Sequence, residues 1–183
     1  MAVSGAANKQ LVARLRSLGV DAAGLSGEDG GLLGARVVDG GALGRAGMPV
    51  AVNAALVRHL LAGGFLPVIS PVGRDIDHAE GAPLNVNADD AAAAIAAALG
   101  ASELLLVSDV EGVILDGSPA HELDATEAMR VVAAGAATGG MAAKLTAATN
   151  ALAAGVERVR IGSASMLRDE SAGTQLRVTE VAA

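Results

Sequence analysis

The sequence predicts an α/β protein in which a mostly parallel sheet is sandwiched between helices. Segments with helical spacing of apolar residues alternate along the chain with short, continuous apolar runs such as 65–72 and 104–107. Such runs are typical of parallel strands that are covered on both faces by helices. The 183 residues include one Phe and no Trp or Tyr, so we expect a core of Ala, Val, Leu and Ile.

The helices are predicted from apolar residues three or four positions apart, several of them followed by a glycine. In the first helix these residues are Leu11, Val12, Leu15 and Leu18, and Gly19 follows. The predicted helices are 8–18, 53–62, 89–99, 125–134 and 141–154. The predicted strands are 20–25, 65–72, 104–107, 156–161 and 175–178.

Three connecting segments have their own signatures. Residues 26–31 are rich in Gly and acidic residues and predict a turn. Residues 32–38, followed by Gly40 and Gly41, favour a hairpin, and the polar run 74–83 favours a loop or a short ribbon.

The composition excludes several classes of function. A net charge of -7 and a pI near 4.8 disfavour a nucleic-acid surface, which needs clustered Lys and Arg. There is no Cys, and His59, His78 and His121 are scattered, so no metal site is predicted. No signal peptide is evident and the Ala-rich run 91–99 is too short to cross a bilayer, so the expectation is a soluble, cytoplasmic protein without a membrane partner.

The ends of the predicted strands indicate where a ligand would bind. Ligands of open α/β sheets bind beyond the carboxyl ends of the strands. That rule selects the segments 70–73, 108–112 and 161–163.

The segment 85–90 places two Asn and two Asp side chains before an Ala-rich helix. One interpretation is helix capping, with Asn87 or Asp89 accepting hydrogen bonds from the first N–H groups. Asn85 is not needed for a cap. The alternative is therefore a site in which Asn85 holds a polar group of a substrate and Asp89 organises nearby lysines.

The segment 138–144 places Gly139 and Gly140 at the start of a helix, with Lys144 one turn further on. Backbone N–H groups at such a start can bind a phosphate, and the lysine can reach a transferred group. An ordinary glycine-rich loop with a solvated lysine is the simpler interpretation. The pattern is not a Walker A loop, because Gly-Lys-Ser/Thr is missing.

Taken together and in order, several segments resemble the acetylglutamate kinases of the amino acid kinase family. The resemblance extends over nearly the whole chain. The segments that carry it are 5–9, 24–30, 64–69, 85–89, 108–113 and 139–144.

The resemblance implies the amino acid kinase fold and phosphorylation by ATP of the side-chain carboxylate of N-acetyl-L-glutamate, a step of arginine biosynthesis. It implies that Asn85 contacts the acylated amino acid, that Asp89 orients the catalytic lysines, and that Lys144 stabilises charge on the transferred phosphoryl group. Mg²⁺ would bind with the nucleotide, and a homo-oligomer is expected if the full first lobe is present. The implied ATP contacts are Asp109, Val110, Gly112, Val113, Ile114, Ala136, Ala137 and Thr138.

The resemblance also predicts two lobes that together form one compact unit. Residues 1–84 would be the remainder of the lobe that binds the acylated amino acid, and 85–183 the lobe that binds ATP. The family's first strand, its Gly-Gly loop with a catalytic lysine, and its substrate arginine have no counterpart here; Lys9, Arg14 and Arg16 match other positions. We therefore expect a family member shortened at its N-terminus, with a sheet that lacks its first strands and exposes an edge, and with little or no kinase activity.

Two alternatives remain open at this stage. One is a kinase for a carrier-protein-linked aminoadipate in lysine biosynthesis. Between the two enzymes, the form Gly139-Gly140-Met141 favours the acetylglutamate kinase. The other is a nucleotide-binding module without catalysis.

Overall fold

A computed structural model describes residues 2–78, 80–115 and 117–178 of the chain. The α-helices are α1 (Asn8–Ser17), α2 (Ala54–Ala62), α3 (Ala88–Leu99), α4 (Ala125–Ala133) and α5 (Gly139–Ala153). The strands of the first half are β1 (Ala22–Ser26), β2 (Leu33–Val37), β3 (Ala46–Val52), β4 (Leu66–Ser70), β5 (Val72–Asp75) and β6 (Leu84–Val86). Those of the second half are β7 (Glu103–Val107), β8 (Ile114–Leu115), β9 (Ser118–Pro119), β10 (Glu122–Asp124), β11 (Arg158–Gly162) and β12 (Thr174–Arg177).

The predicted α/β class is confirmed. Every predicted helix and strand is present, with ends that differ by at most 2 residues. Five of the nine strand pairings in the described part are parallel. No helix within the described ranges is long and apolar enough to cross a membrane.

The chain divides into two compact units between Leu99 and Gly100, not after residue 84 as the sequence suggested. The reason lies in the pairing of β6, which joins β3 and β5 and so ties Leu84–Val86 to the first half. Helix α3 follows at once and packs on β3. We call residues 1–99 unit 1 and residues 100–183 unit 2.

Unit 1 contains a closed four-stranded barrel in the order β2, β3, β6, β5. The predicted hairpin at 32–38 is confirmed as the antiparallel pair β2–β3, whereas the barrel itself was not foreseen. Beside the barrel lies an aliphatic core, to which β2 and β6 and the helices α2 and α3 contribute buried Leu, Val and Ala side chains. The buried members are Leu32, Leu33, Ala35, Val57, Leu84, Val86 and Ala91.

The parallel pair β1–β4 forms a separate two-stranded sheet in unit 1. Buried Asn8, at the start of α1, holds the pair together: its Nδ2 donates to the carbonyls of Leu25 (3.3 Å) and Val68 (2.8 Å). The run 65–72 was predicted to be a buried strand, yet Phe65 and Leu66 are each 43% exposed. The first part of that prediction is therefore wrong.

Unit 2 is built on a four-stranded sheet in the order β10, β12, β11, β7. The sheet is covered by α5, whose buried residues are three alanines and two leucines, and small side chains let a helix lie close to strands. These buried residues are Leu145, Ala147, Ala148, Ala151 and Leu152. At one face Arg160 is buried and its Nε donates to Glu103 Oε1 at 2.7 Å, which ties β11 to β7. This hydrogen bond, against a smaller effect of burial, holds the pKa of Glu103 below its ordinary value.

We predict that Gly24→Ala destabilises unit 1. A Cβ at this position would overlap Asn8 Oδ1 and lie 2.9 Å from Val12 Cγ2, so the side chain that joins β1 to β4 would have to move. We expect a loss of about 1–3 kcal/mol in the free energy of unfolding, measured by urea denaturation. Gly5→Ala is the control, since nothing lies within 4 Å of its Cβ. Equal stability of Gly24→Ala and Gly5→Ala would contradict the role of Asn8.

Candidate functional site

The carboxyl ends of β7 and β11 lie side by side in unit 2. Val107 pairs with Gly162, and the N–H of Ser108 donates to the Gly162 carbonyl at 2.7 Å. The segments that follow, 108–112 and 163–165, therefore leave the sheet together. Two of the three strand ends selected from the sequence thus meet at one edge.

A cavity of about 270 Å³ lies beside this edge, and we call it the unit 2 cavity. Its walls come from two segments that are more than 20 residues apart and from the start of α5. The lining residues are Val110, Gly112, Val113, Ile114, Ala136, Ala137, Thr138 and Met141. Seven of these eight were selected from the sequence as nucleotide contacts; Met141 is the addition.

Asp109 is the sequence-selected residue that does not line the unit 2 cavity. Its carboxylate is exposed and accepts a hydrogen bond from Ser108 Oγ at 3.2 Å. The neighbouring Glu111 instead accepts from Ser163 Oγ (2.9 Å) and Ser165 Oγ (3.3 Å), which links the two segments that leave the sheet.

The wall formed by 110–114 is fixed by Thr174, a residue that sequence reasoning missed. Thr174 is fully buried; its Oγ1 accepts from the N–H of Val113 (2.8 Å) and donates to the Ala120 carbonyl (2.6 Å). A Cβ on Gly112 would lie 2.7 Å from the same oxygen, so glycine is needed there. A single threonine at the start of a short, largely polar strand carries no signal that sequence alone could use.

The opposite wall of the cavity leads into the start of α5. Gly139 has φ +54°, a left-handed conformation that favours glycine. The Thr138 side chain makes no capping hydrogen bond, and the first turn holds no acidic residue. The first N–H groups and the positive end of the helix dipole can therefore serve an anion. Lys144, half-buried, lies on the same helix.

Unit 1 contains a larger cavity of about 570 Å³, which we call the unit 1 cavity. It takes its lining from the N-terminal residues, the end of β1, the residue before β3, and strands β5 and β6. These residues are Ala2, Val3, Ser4, Ser26, Glu28, Arg45, Val72, Pro83, Leu84 and Asn85. The predicted substrate residue Asn85 thus lines a cavity of the size that small ligands occupy.

The structure separates the roles within 85–90. Asn87 Oδ1 accepts from the N–H groups of Asp89 (2.8 Å) and Asp90 (3.3 Å), so Asn87 caps α3. Asp89, half-buried in the first turn, is not needed as a cap. Burial, together with the charge of Asp89, raises the pKa of Asp90.

Asp75 forms a buried anchor next to the unit 1 cavity. Its Oδ1 accepts from the N–H groups of Asp77 (3.1 Å) and His78 (3.3 Å). Its Oδ2 lies 3.5 Å from Arg45 Nη2 and 3.4 Å from His78 Nδ1. Burial alone would raise the pKa of Asp75, but these hydrogen bonds and the His78 charge hold it below the ordinary value. The sequence favoured a loop or a short ribbon at 74–83 and did not single out Asp75, which is the last residue of β5.

The chain thus has an α/β fold in which a glycine-initiated helix adjoins a cavity at the strand ends, where ligands of such folds bind. The profile of the amino acid kinase family matches residues 1–163, so the chain belongs to that family. Across the described residues, no group of three or more His, Asp or Glu side chains could hold a metal ion.

Curated relatives carry the name acetylglutamate kinase. The protein of Rubrobacter xylanophilus is 51% identical over 156 residues, which are 85% of this chain and 59% of that protein. The protein of Geobacillus kaustophilus is 45% identical over 89% of this chain and 62% of its own length. The protein of Chloroflexus aggregans is 43% identical over 100% of this chain and 70% of its own length. The chain thus spans about three fifths of the first of these relatives.

Solved structures with the same fold include a protein of Streptococcus mutans UA159, with a TM-score of 0.84 and 26% identity over 97% of this chain and 69% of that one. An N-acetylglutamate synthase of Neisseria gonorrhoeae, complexed with coenzyme A and N-acetyl-glutamate, has a TM-score of 0.73 and 26% identity over 94% of this chain and 43% of that one.

We predict that Asp75→Asn destabilises the protein near neutral pH and that this effect shrinks in acid. Because the folded pKa of Asp75 lies below its ordinary value of 3.8, the ionised carboxylate stabilises the fold above that value, and the stabilisation is lost as pH falls toward the folded pKa. Urea denaturation at about pH 7 and at about pH 3 measures the difference in the free energy of unfolding between wild type and variant. Asp77→Asn is the control, since that carboxylate is exposed and pairs with Arg36. A difference that grows in acid would contradict a stabilising role of the ionised Asp75 carboxylate.

Proposed function

We propose that the chain carries the nucleotide and substrate sites of an acetylglutamate kinase. In the proposed reaction a side-chain carboxylate oxygen of N-acetyl-L-glutamate attacks the γ-phosphorus of ATP, the bond to the bridging oxygen breaks, and an acyl phosphate and ADP form. The observation that carries this proposal is the unit 2 cavity, where 110–114 and 136–138 meet beside the start of α5. The curated relatives at 43–51% identity support the choice of acceptor.

The unit 2 cavity suits the nucleotide in two ways. Its small aliphatic walls, such as Val113 and Ala137, offer van der Waals surface to a purine without an aromatic residue. The N–H groups at Gly139 and Gly140 and the positive end of α5 can hold phosphate oxygens. With no ligand cluster for a metal in the described part, Mg²⁺ would bind through the phosphates and would neutralise part of their charge.

Phosphoryl transfer requires mainly that the two substrates are aligned and that positive charge surrounds the transferred group. Phosphoryl transfer proceeds through a transition state with charge spread over the phosphoryl oxygens. Lys144 would stabilise that charge, and its loss would raise the barrier by about 3 kcal/mol. Asp89 would orient lysines, and Asn85, which lines the unit 1 cavity, would contact the acylated amino acid.

The test is calorimetric titration of ATP·Mg²⁺ into the purified chain, with two glycine variants. We expect saturable binding to wild type and at least about tenfold weaker binding to Gly139→Ala, because an added Cβ strains φ +54° at the phosphate-binding turn. Gly155→Ala is the matched control. It also replaces a glycine of positive φ (+97°), with nothing within 4 Å of its Cβ, but at the far end of the same helix.

Binding is the primary readout, since the chain spans about three fifths of the first curated relative that it matches. ADP release, where it is measurable, should require N-acetyl-L-glutamate and should not occur with N-acetyl-L-glutamine, which lacks the acceptor carboxylate. Absence of ATP binding, or equal affinities of the two glycine variants, would contradict the nucleotide site. ADP release that depends instead on a carrier-linked aminoadipate would contradict the proposed acceptor.

A further inference from the structure

We propose that unit 2 binds the phosphate group of a small phosphorylated molecule at a cavity that is separate from the unit 2 cavity. This second cavity, of about 340 Å³, is lined by Ser102, Glu157, Arg158 and Arg177, and we call it the arginine cavity. It lies where β7 and β11 begin and β12 ends, whereas the unit 2 cavity lies beside the ends of β7 and β11. Binding there does not depend on the proposed function.

The strand register sets Arg158 and Arg177 against each other. Val159 pairs with Leu176 in the antiparallel pair β11–β12, so Arg158 and Arg177 occupy the next opposed positions. Side chains opposed in this way lie on the same face of a sheet, and like charges there repel each other. Both arginines line the cavity, and an anion between them would relieve this repulsion.

The carboxylate that pairs with Arg158 is shared with a second arginine. Glu103 lies next to Arg158 on β7, and its Oε1 is 2.8 Å from Nε of Arg158 and 2.7 Å from Nε of buried Arg160. Arg160 also approaches the other oxygen, with Nη2 3.4 Å from Oε2. One carboxylate thus serves two guanidinium groups and neutralises Arg158 only in part.

Arg177 has no carboxylate partner in the described structure. None of the ion pairs formed by the described residues involves it. Its neighbour on β10 is Asp124, whose carboxylate accepts the N–H of Glu127 at 2.7 Å and so caps α4. The charge of Arg177 is therefore open to an anion from solution.

Both arginines keep donor groups for such an anion. A guanidinium carries five N–H donors in a planar fork. In the described part of the chain Arg158 pairs through Nε, which leaves both of its Nη groups. Gln175, oriented with its amide oxygen toward Arg177, accepts from Nε and Nη2 and leaves Nη1 of that arginine. Two guanidinium groups that line one cavity are suited to the several oxygens of a phosphate.

The rest of the lining indicates a phosphate with a small polar group attached. The carbonyl of Ser102 accepts the N–H of Arg158 at 3.2 Å, which holds this serine, and with it a further hydroxyl donor, at the cavity. The volume is at the lower end of the range for small-ligand cavities and leaves room beyond a phosphate. Glu157, exposed in the lining, can accept from a hydroxyl group of the ligand.

The experiment is calorimetric titration at low salt of wild type, Arg177→Gln and Arg177→Lys with inorganic phosphate, glycerol 3-phosphate and acetate. We expect both phosphates to bind wild type at least about tenfold more tightly than acetate. Arg177→Gln should weaken binding of both phosphates by about 10- to 100-fold. Arg177→Lys should recover part of the loss, because lysine keeps the charge and lacks the fork.

Arg168→Gln is the matched control, because Arg168 is an exposed arginine of unit 2 that does not line the arginine cavity. Urea denaturation in phosphate-free buffer should find Arg177→Gln as stable as wild type, since the change removes a like charge; a clear loss would contradict the repulsion. The inference is overturned if neither phosphate binds wild type, if acetate binds as tightly, if Arg177→Gln keeps wild-type affinity, or if Arg168→Gln loses as much.

The start of α5 is the other place in unit 2 where a phosphate can bind, and Gly139→Ala separates the two. We expect glycerol 3-phosphate to bind Gly139→Ala as it binds wild type. Binding that is lost in Gly139→Ala and kept in Arg177→Gln would support the nucleotide site and overturn this inference. Binding that depends on Arg177, in a chain that binds no ATP, would support this inference and contradict the proposed kinase site.

Discussion

The buried hydroxyl of Thr174 is the interaction on which the unit 2 cavity depends. One oxygen accepts from the Val113 N–H and donates to the Ala120 carbonyl, so it fixes a loop that has little regular structure of its own. Without it, the buried Val113 N–H would stay unpaired, at a cost of about 1–3 kcal/mol, and the half-buried Ala120 carbonyl would lose this partner. Gly112 can approach this oxygen only because it lacks a Cβ. The cavity wall is thus set by packing inside the unit.

In unit 1 the positions of the polar side chains depend on a different constraint, the closure of the barrel. Parallel pairing of β3 with β6 sets Arg45 and Asn85 next to each other, and β5 brings the buried Asp75 within reach of the guanidinium. In both units the polar groups lie at strand ends or in loops, while the strands supply a rigid frame. Each cavity can therefore be understood from its own unit.

Periodicity predicted the helices and the apolar strands, because burial of one face or both leaves a clear pattern in the sequence. It did not predict the barrel, since β5 and β6 are short and β5 contains Arg74 and Asp75. For the same reason the boundary was placed after residue 84 and not after Leu99. The sequence offered Asn87 and Asp89 as candidates for the N-terminal cap of α3, and the hydrogen bonds of the structure select Asn87. Arg45 and Thr174 act through tertiary contacts that leave no local signal.

Amide hydrogen exchange of the full chain, with and without ATP·Mg²⁺, tests the proposal that 110–114 and 136–141 form one nucleotide site. If they do, exchange slows in both segments when the nucleotide is present and is unchanged in β1 and β4 of unit 1. Nucleotide-dependent protection confined to unit 1, or no change in either segment at saturating ATP·Mg²⁺, would contradict it.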